Sequence, residues 1–304
     1  MSTAETTQAP MRVIKKKRRS IPKWAVTTGW KHLIGLGLIV YAIFPILYII
    51  SVSVTPGTHV EDANNLFANG FSIDAYVSLF NDPNRPFARW FLNSVVVGLV
   101  TATLSVFICS LAAYAFSRLR FRGRRGGLMT LILIQMYPSL LGLVAIYGIL
   151  SSIGRVFPPL GLDSLIGLIM VYLGGSLGGG TYLMYGFFNT VPKEIDEAAA
   201  LDGASHARIF FTIILRLVSP ILAVQMLLSF IGIISDYVLP SILMSRPENL
   251  TFAVGLQMFI GDPYTKDWSS FCAGAVLVAT PVVALFMYLQ RYIVSGLLGG
   301  AVKG

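Results

Sequence analysis

Of 304 residues, 55% are hydrophobic and only 12% are charged, whereas soluble domains carry about 25% charged residues. The chain is therefore expected to be embedded in lipid. A net charge of +9 raises nucleic acid as a partner, but the cations cluster in the links between apolar segments, where they act as orientation signals and meet anionic headgroups. Two cysteines, Cys109 and Cys272, lie in apolar segments. They are too few for a disulfide framework or a metal site and are read as buried thiols.

In chain order, residues 1–30 are polar and basic, with the run Lys15, Lys16, Lys17, Arg18 and Arg19, and are expected to be a disordered extension. Residues 31–304 are expected to form one all-α integral membrane domain. Six segments, near Leu33–Val54, Asn93–Phe116, Leu128–Leu150, Leu165–Phe188, Phe211–Ser235 and Phe271–Gln290, reach the roughly 20 residues needed to cross hydrocarbon. They are continuously apolar without period-two alternation, which favours helices over a barrel. The first exceeds a signal-peptide core, and Tyr41, Pro45 and Tyr48 interrupt it where a small-residue cleavage site would follow, so it is read as a retained span.

This topology places 18 of the 23 Lys and Arg on one side. They are the N-terminal set, then Arg118, Arg120, Arg122, Arg124 and Arg125, then Lys193, Arg208 and Arg216, and finally Arg291 and Lys303. Arg85, Arg89, Arg155, Arg246 and Lys266 fall on the other. Cations concentrate on the cytoplasmic side, so both termini are expected there, in a multi-pass bacterial inner-membrane protein. The long links Thr55–Trp90 and Asp236–Ser270, rich in Pro, Asn, Asp and Gly and including an amphipathic piece at Ile73–Phe80, are then outside.

The fourth span holds Gly174, Gly175, Gly178, Gly179 and Gly180 around Ser176. Small residues at this spacing permit close helix packing or local unwinding. Gly174–Gly178 also matches the hydrolase pattern G-x-S-x-G, but that elbow needs a preceding strand and a nearby histidine. His32, His59 and His206 all fall at or beyond span ends, so no catalytic residue is assigned. Nor does any Asp, Glu, Lys, Arg or His lie near the middle of a span, which argues against an ion- or proton-coupled transporter. Neutral groups remain for a translocation path: Gln135, Tyr137, Ser176, Gln225 and Ser229, with Thr181 beside them. They suit a hydroxyl-rich solute, and they serve equally well as interhelical hydrogen bonders. No Gly-Lys pair occurs in the chain, so a P-loop ATPase would have to be another polypeptide.

Between spans four and five, within about 190–208, the stretch from Val191 to Ser205 reads as a short helix and a turn. Pro192 suits the first turn, and Glu194, Asp196 and Glu197 complement the positive helix start. Ala198, Ala199 and Ala200 favour helix without adding bulk. Gly203 is placed for a left-handed stop, and Ser205 for the N-cap of the next helix. The product is a compact helix–turn–helix with a small apolar face and an acidic end, shaped to fit a groove on a partner.

Glu197-Ala-Ala-Ala-Leu-Asp-Gly-Ala204, followed by Ile213 and Leu215, resembles the EAA loop of ABC importer permeases. Arg216 stands where that pattern has proline, leaving Pro220 as the candidate for the bend at span five. The likeness continues through Gln135-Met-Tyr-Pro138, Tyr172-Leu-Gly-Gly175, Pro220-Ile-Leu-Ala-Val224, Leu250-Thr-Phe-Ala-Val-Gly-Leu-Gln257 and the ending Gln290–Gly304. Over roughly residues 30–304 the chain is similar to the shorter permease of maltose and maltodextrin importers.

The resemblance implies a six-helix type I importer permease that forms half of a sugar path beside a second permease subunit. Two cytoplasmic ATPase subunits would bind ATP and Mg, so this chain needs no cofactor, and an extracellular sugar-binding protein would deliver malto-oligosaccharide. Glu197, Ala198, Ala199, Asp202 and Gly203 would seat in an ATPase groove, so that closure of the ATPases rotates the span bundles. The tail from Gly296, with four glycines, is expected to be flexible, and the resemblance places Gly300, Val302 and Lys303 against the ATPases. Another sugar, such as trehalose or a glycerol-phosphate ester, is the alternative within this class. A secondary transporter is the alternative outside it, and it lacks the inverted repeats such a protein shows.

Overall fold

The computed structural model describes residues 28–57, 70–261 and 266–301. Most of the basic extension, together with Val302 and Lys303, lies outside these residues. Every described regular element is helical. The chain divides into two units, one ending at Tyr48 and the other beginning at Ile49. Helix α1 (Trp30–Ser53), an apolar helix of 24 residues with Pro45 inside, starts in the first unit and ends in the second.

The second unit contains α2 (Asp74–Asn81), α3 (Phe87–Arg118), α4 (Arg124–Gln135), α5 (Ser139–Val156), α6 (Leu165–Phe188), α7 (Lys193–Leu201), α8 (His206–Leu217), α9 (Ser219–Ile234), α10 (Val238–Leu243), α11 (Phe252–Ile260) and α12 (Trp268–Ala301). Helix α3 is its axis. With 32 residues and no internal proline, it runs about 48 Å at 1.5 Å per residue. Its buried stripe is mostly small: Ser94, Val97, Gly98, Thr101, Ala102, Ser105, Cys109 and Ala113. Such side chains let backbones approach closely, and α6 and α9 are the main helices that pack along it. One hydrophobic cluster surrounds the α3 start, with Phe87, Trp90, Leu243, Phe252, Leu256 and Phe259. Another surrounds its end, with Tyr114, Met184, Phe188, Ile209, Phe210 and Ile214.

Among the described residues, four helices (α1, α3, α6 and α12) are long and apolar enough to cross a membrane individually. The third and fifth spans expected from the sequence are not continuous helices. Between α4 and α5 the chain bends by 99° at Met136–Pro138. Proline lacks the N–H that would continue the helix and pushes the residue before it out of helical conformation. Between α8 and α9 the bend is 77°, at Val218, and Pro220 occupies the first turn of the new helix. Pro220 thus stands at the bend that Arg216 leaves without its usual proline. Counting each bent pair as one span gives six. Within α8, Ile209–Ile214 forms a π-helical stretch that period-3.6 reasoning did not anticipate. Helix α12 continues through Gly296, Gly299 and Gly300 to Ala301, so the tail expected to be flexible is helical that far.

Candidate functional site

Helix α7 begins one residue after Pro192, which takes the cap position with φ −56° and ψ 136°. It ends as its sequence directs. Gly203 has φ 81°, its N–H donates to the Ala200 carbonyl at 3.0 Å, and the Ala204 N–H donates to the Ala199 carbonyl at 3.0 Å. Those two bonds form a Schellman stop, which requires a residue in the left-handed region. Ser205 then caps α8 by accepting from the Arg208 N–H at 3.3 Å.

The helix has two faces. Ile195, Asp196 and Ala199 are half-buried, and Ala199 packs against the Tyr114–Phe210 cluster. Glu194, Glu197, Ala198, Leu201 and Asp202 are exposed, and Leu201 reaches 90% exposure. Of the five loop residues singled out from the sequence, Glu197, Ala198, Asp202 and Gly203 therefore present outward, while Ala199 anchors the helix to the body. Leu201 was missed. Its placement lay in the sequence: it falls off the inward row of Ile195 and Ala199 and on the row of Glu194, Glu197 and Ala198.

Asp196 was read as a complement to the helix dipole and Arg118 as a topology signal, but the two form an ion pair. Their side chains are only 15% and 5% exposed. Arg118 Nη2 also donates to the Val191 carbonyl at 2.9 Å, and the Tyr114 hydroxyl donates to the His206 carbonyl at 3.5 Å. An open groove of about 180 Å³ along α7 is lined by Tyr114, Arg118, Lys193, Asp196, Glu197, Ala200, His206 and Ile209. The helix is thus pinned at its inner face beside an open groove.

The path candidates separate. The Ser176 hydroxyl sits inside α6, accepting from Ser105 at 2.8 Å and donating to the Leu173 carbonyl at 3.0 Å, while Cys109 Sγ approaches its carbonyl at 3.7 Å. Ser176 therefore joins helices, and the helical setting removes the nucleophile elbow. Gln135 lies over Gly178 and Gly179, where an added β-carbon would sit 2.4 and 3.1 Å from its amide oxygen. Gln225 meets the same stretch at Gly180 and donates to Ser229 Oγ at 3.3 Å. Tyr137, in the α4–α5 bend, is 59% exposed.

At the other end of α3 a second polar assembly ties three segments together. Trp90 Nε1 donates to the Pro247 carbonyl at 2.6 Å. Asn93 Nδ2 donates to the Glu248 and Leu250 carbonyls, each at 3.0 Å, and Ser94 Oγ accepts from the Phe252 N–H at 2.7 Å. Asp163, between α5 and α6, adopts φ 56°, a conformation that Asp tolerates better than most residues. Its carboxylate accepts from the Ser245 N–H at 2.6 Å, the Ser245 hydroxyl at 2.7 Å and the Arg246 N–H at 2.9 Å. Asn249 Nδ2 donates to its carbonyl at 2.7 Å. Burial alone would raise the Asp163 pKa, but these donors and the nearby Arg246 charge hold it below its ordinary value.

Residues 105–298 match the family of binding-protein-dependent transport system inner membrane components. The chain belongs to that family. As a permease of ABC importers it is a membrane subunit, not a catalytic one. It is 43% identical to the maltodextrin transport system permease protein of Bacillus subtilis over 78% of this chain and 83% of that one. It is 36% identical to the maltose/maltodextrin transport system permease protein of Photorhabdus laumondii over 93% and 97% of the two chains. A galactooligosaccharides transport system permease protein of Bacillus subtilis is 34% identical over 90% and 95%. The fold matches a chain of a bacterial ABC transporter involved in the import of the acidic polysaccharide alginate. That match has a TM-score of 0.70 and 23% identity, and covers 90% of this chain and 99% of that one.

Proposed function

We propose that this permease forms half of the translocation path of an ATP-driven maltose and maltodextrin importer and that α7 is its coupling helix. Its partners in this reading are a second permease, two cytoplasmic ATPases that bind ATP and Mg, and an extracellular sugar-binding protein. The identities of 43% and 36% to permeases named for maltodextrin and maltose support the substrate. Both termini and α7 are placed on the cytoplasmic side by the excess of basic residues there.

One observation carries the docking reading: the exposed row Glu194, Glu197, Ala198 and Leu201, at helical spacing on a helix whose opposite row is anchored. A leucine 90% exposed in front of a flat alanine surface is a knob for an apolar groove. Glu197 adds a carboxylate for a cation at the rim. Truncating one partner of a desolvated charge pair costs about 2–5 kcal/mol, against about 0.5 kcal/mol for a change at a solvated surface. Leu201→Asp and Glu197→Ala should therefore release the ATPases from the purified complex and stop maltodextrin uptake while membrane levels persist. Retained co-purification and uptake in both would reject α7 as the docking element. Uptake restricted to galactooligosaccharides, with no response to maltodextrin-loaded binding protein, would keep the class and change the sugar.

A further inference from the structure

Helix α7 connects to the rest of the molecule by two routes with different mechanical character. The covalent route leads into α8, where a π-helical stretch at Ile209–Ile214 is followed by the 77° bend at Val218. Local π geometry and sharp bends interrupt the hydrogen-bond ladder that makes a helix stiff. The other route crosses to α3, which is not adjacent in sequence. Tyr114 and Arg118, one turn apart at the end of α3, hold α7 at three points: Val191 before it, Asp196 within it and His206 after it. From there α3 runs unbroken back to Phe87. Near that start, Trp90, Asn93 and Ser94 grip the segment Pro247–Phe252 through four hydrogen bonds of 2.6–3.0 Å. From Asn93 to Arg118 the helix spans about 37 Å.

We propose that α3 is the rod that carries displacement of α7 to the 247–252 segment at the opposite end of the molecule. The Arg118–Asp196 pair is its input and Trp90, Asn93 and Ser94 are its output. The proposal rests on the docking reading above and adds a direction to it. ATPase state would reach the segment beside the Asp163 clasp, and arrival of a binding protein at that end would reach the ATPases by the same helix. Arg118, Asp196 and Asn93 are thus positioning residues, acting through α3 rather than on sugar or nucleotide. An ion pair suits the input because two opposite charges largely removed from water depend on each other for compensation, and the Val191 carbonyl holds the guanidinium beside the carboxylate.

The test uses the complete complex in lipid nanodiscs. It reads the ratio of the ATPase rate with maltose-loaded binding protein to the rate without it, per mole of assembled complex. Asp196→Asn and Asn93→Ala, at opposite ends of α3, should each lower this ratio at least five-fold. Because both interrupt one line, the double variant should fall no further than the weaker-coupled single. Effects at sites this far apart otherwise combine independently, so a double variant whose loss is the product of the two single losses overturns the rod. An undiminished ratio in either single overturns it too. A merely structural role would lower the amount of complex and leave the ratio unchanged. Leu201→Asp separates the layers. If it and Glu197→Ala both leave the ATPases bound, the docking reading beneath has failed. If it releases them while the two α3-end variants keep full stimulation, only the rod has failed.

Discussion

The two ends of α3 solve the same problem, holding a neighbouring segment, with different chemistry. At its start the grip is distributed: Trp90 and Asn93 donate to backbone carbonyls, Ser94 accepts from the Phe252 N–H, and Asp163 adds its clasp from the side. At its end the grip is concentrated in a single ion pair, with Tyr114 and the Val191 carbonyl in support. Distributed neutral bonds contribute about 1 kcal/mol each and fail one at a time. A buried ion pair is close to all-or-none, because each charge depends on the other for its compensation. The difference matches the surroundings. The 247–252 segment is packed among large side chains, whereas α7 is a small element beside an open groove with its outer row exposed.

That contrast is sharpest in truncation of the pair. Arg118→Met or Asp196→Leu alone strands a buried charge and should lower stability by about 3–5 kcal/mol, while the double change should lie close to wild type. Thermal unfolding of the purified complex reads this, and two additive single losses would show the pair is not coupled. The next effect is steric. A β-carbon at Gly255 would stand 2.1–2.7 Å from the Trp90 ring, so Gly255→Ala should cost about 1–3 kcal/mol by overpacking and be relieved by Trp90→Leu.

Gly203 is the opposite kind of glycine. Nothing lies within 4 Å of an added β-carbon there, and the constraint is its φ of 81°. Gly203→Ala should cost about 1–2 kcal/mol with no effect from shrinking any neighbour, Gly203→Asn less, and Gly203→Val more. Equal losses for Asn and Val in sugar uptake would contradict the conformational account.

A similar loss, about 2 kcal/mol from charge-assisted bonds to a partly exposed carboxylate, is expected for Asp163→Ala, read in the same unfolding assay. The smallest effect is its pH dependence. The folded-state pKa lies below the ordinary 3.8, so the unfolded chain takes up the proton first as pH falls. The contribution is fully present above about pH 4 and is lost only as pH drops through the lowered folded value. A stability difference between wild type and Asp163→Ala that persists from pH 7 to 5 and narrows below 4 is the expected profile.

Much of this was legible beforehand because it is local or compositional. The apolar runs, the helix–stop–cap of α7, the position of Gly203 and the role of Pro220 each follow from a few consecutive residues and their backbone preferences. The 99° break at Met136–Pro138 was legible in principle, since Pro138 was in view, but hydropathy averaged over the segment concealed it. The pairing of Arg118 with Asp196 was not legible: the positive-inside pattern accounted for the arginine and the helix dipole for the aspartate, and nothing joined residues 78 apart in sequence. Asp163 offered still less, an acid in a short link whose partners lie 82 or more residues away.

From sequence alone came the class of the molecule, its lipid setting, the family resemblance and the helix–stop–cap of the loop before span five, all carried by composition and short-range backbone chemistry. Tertiary structure alone decided which face of that loop is offered outward, that the Ser176 hydroxyl is engaged with Ser105 between two helices, and that both ends of α3 are clamped. Those depend on which distant side chains close packing brings within hydrogen-bonding reach, and no local preference encodes that.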